Sequence, residues 1–271
     1  METSADQPRP WQPLTLRGVA AFASASWVRV FWVQLAVAAL AAATAVWFLA
    51  HAWFPVIYGA IRQLPAQGAI RNGRLEWAGE EAQLLSENRF LAVAVDLRHV
   101  GTVRSPAHLQ AEFGRADAEL FSLLGFVRVD YPRGRVLAFN RTDLEPWWGA
   151  WSPALLALAA LGTLAGLVCW WTCLATLYCG AAWLVGFFAN RELSLRGSWH
   201  LASAALMPGA LFLNVALGLY GLGLMDVIRL MMAAGAHLVV GWLYVLLSPL
   251  YLPAHSSVAP AKANPFVARK P

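Results

Sequence analysis

Charged residues are scarce in this chain of 271 residues, of which 13% are charged and 59% are hydrophobic. A typical soluble domain carries about 25% charged residues. The deficit is uneven, because 55–147 holds eleven Arg and eleven acidic residues, whereas four long stretches hold almost no charge. Those stretches are 30–50, 151–189, 200–225 and 227–251. We therefore predict several segments that face lipid and one middle region that folds in water.

Cysteine and lysine are also rare. The three cysteines, Cys169, Cys173 and Cys179, lie inside one apolar stretch. The middle region has none, so its fold cannot depend on a disulfide bond. Lysine occurs only at Lys262 and Lys270, and no basic run with interleaved aromatic residues is present to follow a phosphate backbone. We predict that nucleic acid is not a partner.

The sequence motifs of common enzyme classes are missing. The chain contains no P-loop, nucleotide-binding fingerprint, HExxH, GxSxG or paired CxxC motif. His99, His108 and Asp96 are residue types used in acid–base and metal chemistry, but two histidines nine residues apart form no repeating ligand pattern. We interpret them as solvated loop residues. The expectation is a protein that is not an enzyme and that has no catalytic, cofactor-binding or metal-binding residues.

The first apolar stretch, 30–50, is long enough to cross a membrane, because at roughly 1.5 Å per residue it spans a hydrocarbon layer of about 30 Å. Ala50-His51-Ala52 has the small-x-small form of a signal-peptide cleavage site, but signal peptides have shorter apolar cores and shorter N-terminal regions. We therefore predict a retained transmembrane helix 1 over 30–58. Residues 1–29 are predicted to be a cytoplasmic tail, in which 15–29 forms either an interfacial helix or plain linker.

The remaining apolar stretches predict a long transmembrane helix 2 over 147–190, helix 3 over 200–224 and helix 4 over 226–251. A cytoplasmic tail follows at 252–271. The stretch 151–189 is nearly twice as long as one crossing needs. One alternative is a tight hairpin of two short crossings, which would make five helices in total.

Aromatic and arginine residues predict the orientation of these helices. Tryptophan and tyrosine end the first stretch and open the second, as expected for aromatic belts at one membrane interface. Positive residues cluster in the N-terminal tail, in 190–199 and at the C-terminus, and these segments share one side only if four helices cross. The positive-inside rule then places both termini in the cytoplasm. The belt residues are Trp47, Trp53, Tyr58, Trp147, Trp148 and Trp151.

The middle region, 59–146, is predicted to form a small α+β domain outside the inner cell membrane. Asn72 and Gly73 stand within an alternating segment, and Asn-Gly in that setting is the strongest short signal for a β-hairpin. We expect strands at 90–97, 127–131 and 135–139, the last two flanking a turn at 132–134, and a helix at 106–125.

Asn214 and His237 are the most informative polar residues in the apolar stretches. Helices 3 and 4 are joined by a short turn, so they should pack antiparallel, and the two residues then lie at depths within about 6 Å of each other. Their contact, direct or through water, would form either a proton- or solute-linked site or a structural hydrogen bond. We favour the structural hydrogen bond. Asp226 and Arg229 are predicted to form an i, i+3 ion pair at a helix end.

Several segments together resemble a known family. They are Ile-Arg-Asn-Gly-Arg-Leu at 70–75, a strand that ends at Asp96 with Gly101 nearby, Leu-Ser-Leu-Arg at 193–196, and the proline-bearing Ala-Ala-Leu-Met-Pro at 204–208. The pattern covers most of 15–248 and is similar to bacterial integral membrane proteins of unknown function that are sometimes labelled maltodextrin-utilisation membrane proteins.

The resemblance implies a bacterial membrane protein with an outer-domain motif at Asn72, Gly73, Asp96 and Gly101. The family usually has Asp-Thr-Thr-Gly after the second strand, whereas this chain has Asp-Leu-Arg-His-Val-Gly at 96–101. The resemblance implies no particular reaction.

These patterns lead to one expected function and one alternative. We expect a non-catalytic α-helical integral membrane protein whose extracytoplasmic domain binds a partner or ligand while about four helices anchor it. Its partners would be the lipid bilayer and another membrane or envelope protein, or a second copy of the chain. The alternative is a component of a solute transporter or permease, although such proteins usually have more helices, paired broken segments or intramembrane charges.

Overall fold

The computed structural model describes residues 12–79 and 81–255. The predictions for 1–11 and 256–271, which include the start of the N-terminal tail and most of the C-terminal tail, lie outside the described residues. The helices are α1 Leu16–Ala21, α2 Trp27–Phe48, α3 Phe54–Gln63, α4 Arg141–Phe188, α5 Leu195–Gly221 and α6 Val227–Leu247. The strands are β1 Ala69–Arg71, β2 Arg74–Leu75, β3 Gln83–Glu87, β4 Leu91–Val95, β5 Leu109–Phe113, β6 Asp117–Ser122, β7 Gly125–Asp130 and β8 Val136–Ala138.

Within 12–79 and 81–255, four helical stretches are long and apolar enough to cross a membrane. They are Trp27–Gln63, Arg141–Phe188, Leu195–Gly221 and Val227–Tyr251. Each of the four predicted transmembrane segments overlaps one of them. The first stretch joins α2 to α3 through a π-helical turn, Leu49–Trp53. Residues 151–188 belong to the single helix α4, so the tight hairpin considered as an alternative does not form.

The helices and strands divide into two compact units. The first contains the described residues up to Ala39, Ala165–Val215 and those from Met231 onward, and the second contains Leu40–Leu164 and Ala216–Leu230. All strands lie in the second unit.

In the first unit, the N-terminal segment forms part of the core. The Thr15 hydroxyl accepts a hydrogen bond from the Gly18 amide at 3.0 Å, which begins α1 with an ordinary N-cap. Val19 and Phe22 are fully buried, in one apolar cluster with residues of α5 and α6 such as Leu201. The helix predicted within 15–29 therefore exists, but its apolar side packs on protein and is not free to lie on lipid.

The second unit contains a three-stranded sheet of order β2-β1-β8 and a five-stranded sheet of order β3-β4-β5-β6-β7. All neighbouring strands are antiparallel except β4 and β5, which are parallel. Helix α3 packs on the five-stranded sheet, where Val56, Ala60 and Leu64 share an apolar cluster with Leu85 and Val93. The region thus combines a helix with mostly antiparallel strands.

The predicted Asn-Gly hairpin is confirmed. Asn72 and Gly73 have φ of 48° and 76° and connect β1 to β2, in which Ile70 pairs with Leu75. Positive φ at both central residues is the requirement of a type I′ turn, which the Asn-Gly pair meets at low cost. The predicted helix-end ion pair is also present, with Arg229 Nε 3.5 Å from Asp226 Oδ2.

One local prediction for the middle region differs from the structure. The helix predicted at 106–125 is wrong, because this segment forms the antiparallel strands β5 and β6. The strands predicted at 127–131 and 135–139 overlap β7 and β8, and the predicted turn lies between them, but the two strands belong to different sheets. β7 pairs with β6, whereas β8 pairs with β1 in the other sheet.

Candidate functional site

Strand β5 gives the five-stranded sheet two chemically different faces. Successive side chains of a strand point to opposite faces, and here Leu109, Ala111 and Phe113 alternate with Gln110 and Glu112. Strand β6 continues the pattern in register, because Leu120 pairs with Ala111 and Glu119 pairs with Glu112. One face of the sheet is therefore apolar and the other carries buried carboxylates.

The apolar face borders a cavity of about 460 Å³ between the sheet, α3 and the start of α4. Every lining side chain is aliphatic or aromatic. The lining comprises Trp53, Ile57, Ala60, Ile61, Leu64, Leu85, Leu91, Val93, Leu109, Ala111, Phe113, Leu120, Phe139, Leu144, Trp147 and Trp148. Three of its tryptophans belong to the aromatic belts predicted from the sequence. The Phe54 ring contacts the Trp148 ring at 4.8 Å between centroids, which joins α3 to α4 beside the cavity.

The polar face is covered by the segment between β4 and β5. Two parallel strands need a crossover connection, and this one runs from Asp96 to His108. The Asp96 carboxylate, which is 4% exposed, accepts hydrogen bonds from the amides of Arg98 at 3.1 Å and Gly101 at 3.0 Å. His99 and Gly101 both have positive φ. The resulting tight loop directs the His99 ring onto the carboxylates of β5 and β6.

His99 stands between two carboxylates. Its Nδ1 lies 2.6 Å from Glu112 Oε1 and its Nε2 lies 2.7 Å from Asp117 Oδ1. The Nδ1 atom is also 3.5 Å from Glu119 Oε2. The second oxygen of each glutamate accepts hydrogen bonds from a residue other than His99. Gln110 Nε2 donates to Glu112 Oε2 at 3.0 Å, and the Arg128 guanidinium group donates to Glu119 Oε1.

The charges around His99 favour its protonated form. Burial of the ring lowers its pKa, but the hydrogen bonds to Asp117 and Glu112 and the negative charges of Glu119 and Glu112 outweigh burial, so the pKa is raised above its ordinary value. This arrangement of one imidazole and three carboxylates is suited to holding a positive charge, either a proton or a cation.

The two histidines are not the solvated loop residues that the sequence predicted. The His99 side chain is 16% exposed and lies within the carboxylate cluster. His108 Nδ1 lies 2.7 Å from the Tyr220 hydroxyl, and the two rings stack. Both histidines therefore make specific contacts in the second unit.

The predicted outer-domain motif divides between two places. Asn72 and Gly73 form the turn of the β1–β2 hairpin. Asp96 and Gly101 shape the crossover loop, where Asp96 positions His99 without itself joining the carboxylate cluster. We assign both pairs a role in backbone geometry.

Asn214 and His237 share no hydrogen bond. His237 Nδ1 donates to the carbonyl of Ala234, one turn earlier in α6. Asn214 Oδ1 is buried and has no hydrogen-bond partner in the described part of the chain. The direct hydrogen bond, one of the two forms of contact predicted for these residues, is therefore not formed, and the contact through water stays a prediction.

The cluster residues on β5 and β6 were not identified from the sequence. They are Gln110, Glu112, Asp117 and Glu119, all within the segment predicted to be helical. A signal was available, because Leu-Gln-Ala-Glu-Phe at 109–113 alternates apolar and polar residues with the period of a strand.

Comparison with known proteins does not identify the chain. No protein-family model, curated protein or solved structure matches it.

Proposed function

We propose that this chain is a multi-pass integral membrane protein whose second unit binds the hydrocarbon part of a membrane amphiphile. Four helices cross the inner cell membrane, both termini are cytoplasmic and 59–146 lies outside. The protein is not an enzyme, and its bacterial origin is proposed from the resemblance described above. The single observation that carries the binding function is the cavity of about 460 Å³ with only aliphatic and aromatic side chains in its lining.

Membrane insertion is supported by the surfaces of the long helices. Helix α4 exposes large apolar side chains along its length, including Leu158 at 66%, Leu177 at 71% and Phe188 at 81% exposure. An apolar surface this extensive is unfavourable in water but is the expected surface of a helix in lipid.

The chemistry of the cavity selects an apolar occupant. Its volume lies within the range of about 300–1,000 Å³ that is usual for small-molecule sites. A polar group placed there would lose its hydrogen bonds to water and find no side chain to replace them. Trp53 lies in the π-helical turn before α3, and Trp147 and Trp148 lie in the first turns of α4. All three belong to the aromatic belts expected at the membrane surface, so a lipid chain would have a short path into the cavity.

Photocrosslinking with a phospholipid that carries a diazirine in its acyl chain tests this function. The purified full chain would be placed in liposomes that contain the probe, and labelled peptides would be identified by mass spectrometry. We expect labelling of cavity residues. Ala111→Trp fills the cavity and should lower that labelling at least fivefold, whereas Leu124→Trp adds the same ring at an exposed turn and should not. Equal labelling of the cavity residues in both variants would contradict the function.

A transport function is the second candidate, and one observation favours it. Gln34 Nε2, Ser203 Oγ and Asn214 Oδ1 are buried in the long helices without a hydrogen-bond partner among the described residues. Such groups often line solute or ion paths in membrane proteins. The test measures proton flux into liposomes that contain only this protein and a trapped pH-sensitive dye. A flux that Asn214→Ala reduces and Thr44→Ala leaves unchanged would support transport. Flux equal to that of empty liposomes would exclude proton transport.

A further inference from the structure

Three donor atoms converge on the polar face of the five-stranded sheet. They belong to His99, Glu112 and Glu119, and one donor atom of each lies within 4.8 Å of the others. His99 Nδ1 is 2.6 Å from Glu112 Oε1 and 3.5 Å from Glu119 Oε2. Ligands about 2.1 Å from a metal ion are roughly 3.0 Å apart at a right angle and roughly 3.4 Å apart in a tetrahedron. Of the two observed spacings, 2.6 Å is shorter than both of these values and 3.5 Å is slightly longer than both.

We propose that His99, Glu112 and Glu119 bind one divalent transition-metal ion through His99 Nδ1, Glu112 Oε1 and Glu119 Oε2. The site is separate from the apolar cavity, because the two occupy opposite faces of the sheet. It does not depend on the proposed lipid binding.

The surroundings of the three ligands are organised as in a metal site. Metal-bound histidine almost always donates its second ring N–H to a carboxylate, a carbonyl or water, and His99 Nε2 lies 2.7 Å from Asp117 Oδ1. The second oxygen of each glutamate also has an outer partner, Gln110 for Glu112 and Arg128 for Glu119. One atom of each ligand is thus held in place while the other points to the common centre.

Glu119 provides an independent reason to place a cation there. Its side chain is only 4% exposed, and both hydrogen bonds that it accepts reach Oε1. Within the described residues, Oε2 accepts no hydrogen bond and lies 3.5 Å from His99 Nδ1, beyond the usual hydrogen-bond length of about 2.7–3.2 Å. Oε2 is therefore the less closely paired oxygen of a carboxylate whose side chain is almost wholly buried, where negative charge without a close partner is unfavourable. A metal ion at the common centre would satisfy it.

The donor set selects the class of metal. Calcium and magnesium favour all-oxygen sites, whereas imidazole favours transition metals and carboxylates suit manganese. One imidazole nitrogen and two carboxylate oxygens therefore fit Mn²⁺ or Zn²⁺. Three protein ligands leave coordination positions open to water or to an anionic ligand.

The experiment measures Mn²⁺ binding to the full chain in detergent after treatment with a chelator. Electron paramagnetic resonance follows the loss of the free Mn²⁺ signal, and we expect one Mn²⁺ per chain. Glu119→Gln keeps the size of the side chain and an acceptor for Arg128 but should weaken binding at least tenfold. Glu76→Gln removes the same charge at an exposed ion pair next to the three-stranded sheet and should leave binding unchanged. Equal affinities of these two variants would overturn the proposal.

Two further measurements use wild-type protein and do not depend on the folding of a variant. Pulsed spectra of bound Mn²⁺ should show coupling to an imidazole ¹⁴N nucleus, and Zn²⁺ should displace Mn²⁺ whereas an equal concentration of Ca²⁺ should not. Absence of the ¹⁴N coupling, equal displacement by Ca²⁺, or no Mn²⁺ binding at all would each overturn the proposal.

Asp117 is a positioning residue in this site. Loss of an outer-shell partner typically costs about 10–100-fold in metal affinity, so Asp117→Asn should weaken Mn²⁺ binding by that factor while the ¹⁴N coupling of the bound ion persists. Unchanged affinity in Asp117→Asn would exclude the assigned role of Asp117.

Discussion

At the scale of single residues, His99 and His108 show how environment decides the chemistry of a side chain. They stand nine residues apart, yet the pKa of His99 is raised and that of His108 is lowered. Burial and the positive charge of Arg89 lower the pKa of His108, and the negative charge of Asp226 only partly offsets them. His99 is also desolvated, but it has carboxylates at both ring nitrogens.

The lowered pKa of His108 predicts a loss of stability in mild acid. Below the unfolded-state pKa of about 6.5, the unfolded chain binds a proton at His108 more readily than the folded chain does. The stabilisation is therefore complete above about pH 6.5 and is lost as the pH falls through the lower folded-state pKa.

Thermal denaturation of the full chain in detergent, at about pH 7.5 and about pH 5.5, measures this effect. His108→Asn removes the titrating group but keeps a polar side chain beside the Tyr220 hydroxyl. We expect the melting temperature of the variant to fall less between the two pH values than that of the wild type. An equal fall in the melting temperatures of the two proteins would show that His108 does not cause the loss of stability.

At the scale of elements, the β1–β2 hairpin and the β5–β6 pair contrast local with non-local control. The hairpin turn depends on two residues that tolerate positive φ, so it was predictable from Asn72 and Gly73. Strands β5 and β6 contain residues that also suit a helix, and their pairing in the sheet decides their conformation. Local sequence preference is a weak guide where tertiary packing competes with it.

Gly73→Ala tests the control of the hairpin by its turn. At a φ of 76°, an added Cβ is strained, and it would also lie 3.2 Å from the Tyr131 carbonyl oxygen. We expect a loss of about 1–2 kcal/mol in the free energy of unfolding. Chemical denaturation followed by circular dichroism measures it.

Gly149→Ala is the matched control. Gly149 lies in α4, and a Cβ there would meet nothing within 4 Å. Alanine favours helix by up to about 1 kcal/mol over glycine, so this variant should be as stable as the wild type or more stable. Equal destabilisation by the two substitutions would contradict the explanation based on backbone conformation.

At the scale of the whole molecule, the helix lengths set limits on how the chain can cross a membrane. Helix α4 has 48 residues, which at about 1.5 Å per residue is more than twice the hydrocarbon thickness of about 30 Å. Part of α4 must therefore lie outside the hydrocarbon layer in the proposed topology. Its continuity removes the turn that a fifth crossing would have needed.

Thiol labelling of whole cells tests the proposed orientation. With the three native cysteines replaced by serine, Leu124→Cys and Leu195→Cys each provide one exposed thiol, in the sheet unit and at the start of α5. A membrane-impermeant maleimide should label Leu124→Cys in spheroplasts and Leu195→Cys only after the membrane is opened. The reverse pattern would show that the orientation is inverted.

The sequence by itself determined the features that depend on short-range interactions or on the length of apolar segments. Four apolar stretches are long enough to cross a membrane, Asn72 and Gly73 make a turn, and Asp226 and Arg229 pair across one helical turn. Each of these follows from chain length, backbone conformation or helix period within a few residues of chain.

Only the tertiary structure decided the two candidate sites. His99 meets Glu112 and Glu119 because β4 and β5 pair in parallel, which forces the loop between them across the sheet, and because the β5–β6 register places the two glutamates side by side. The apolar cavity likewise exists because the opposite sides of the same strands face α3 and the start of α4. Strand pairing and register join residues that are distant along the chain, and local sequence preference does not specify them.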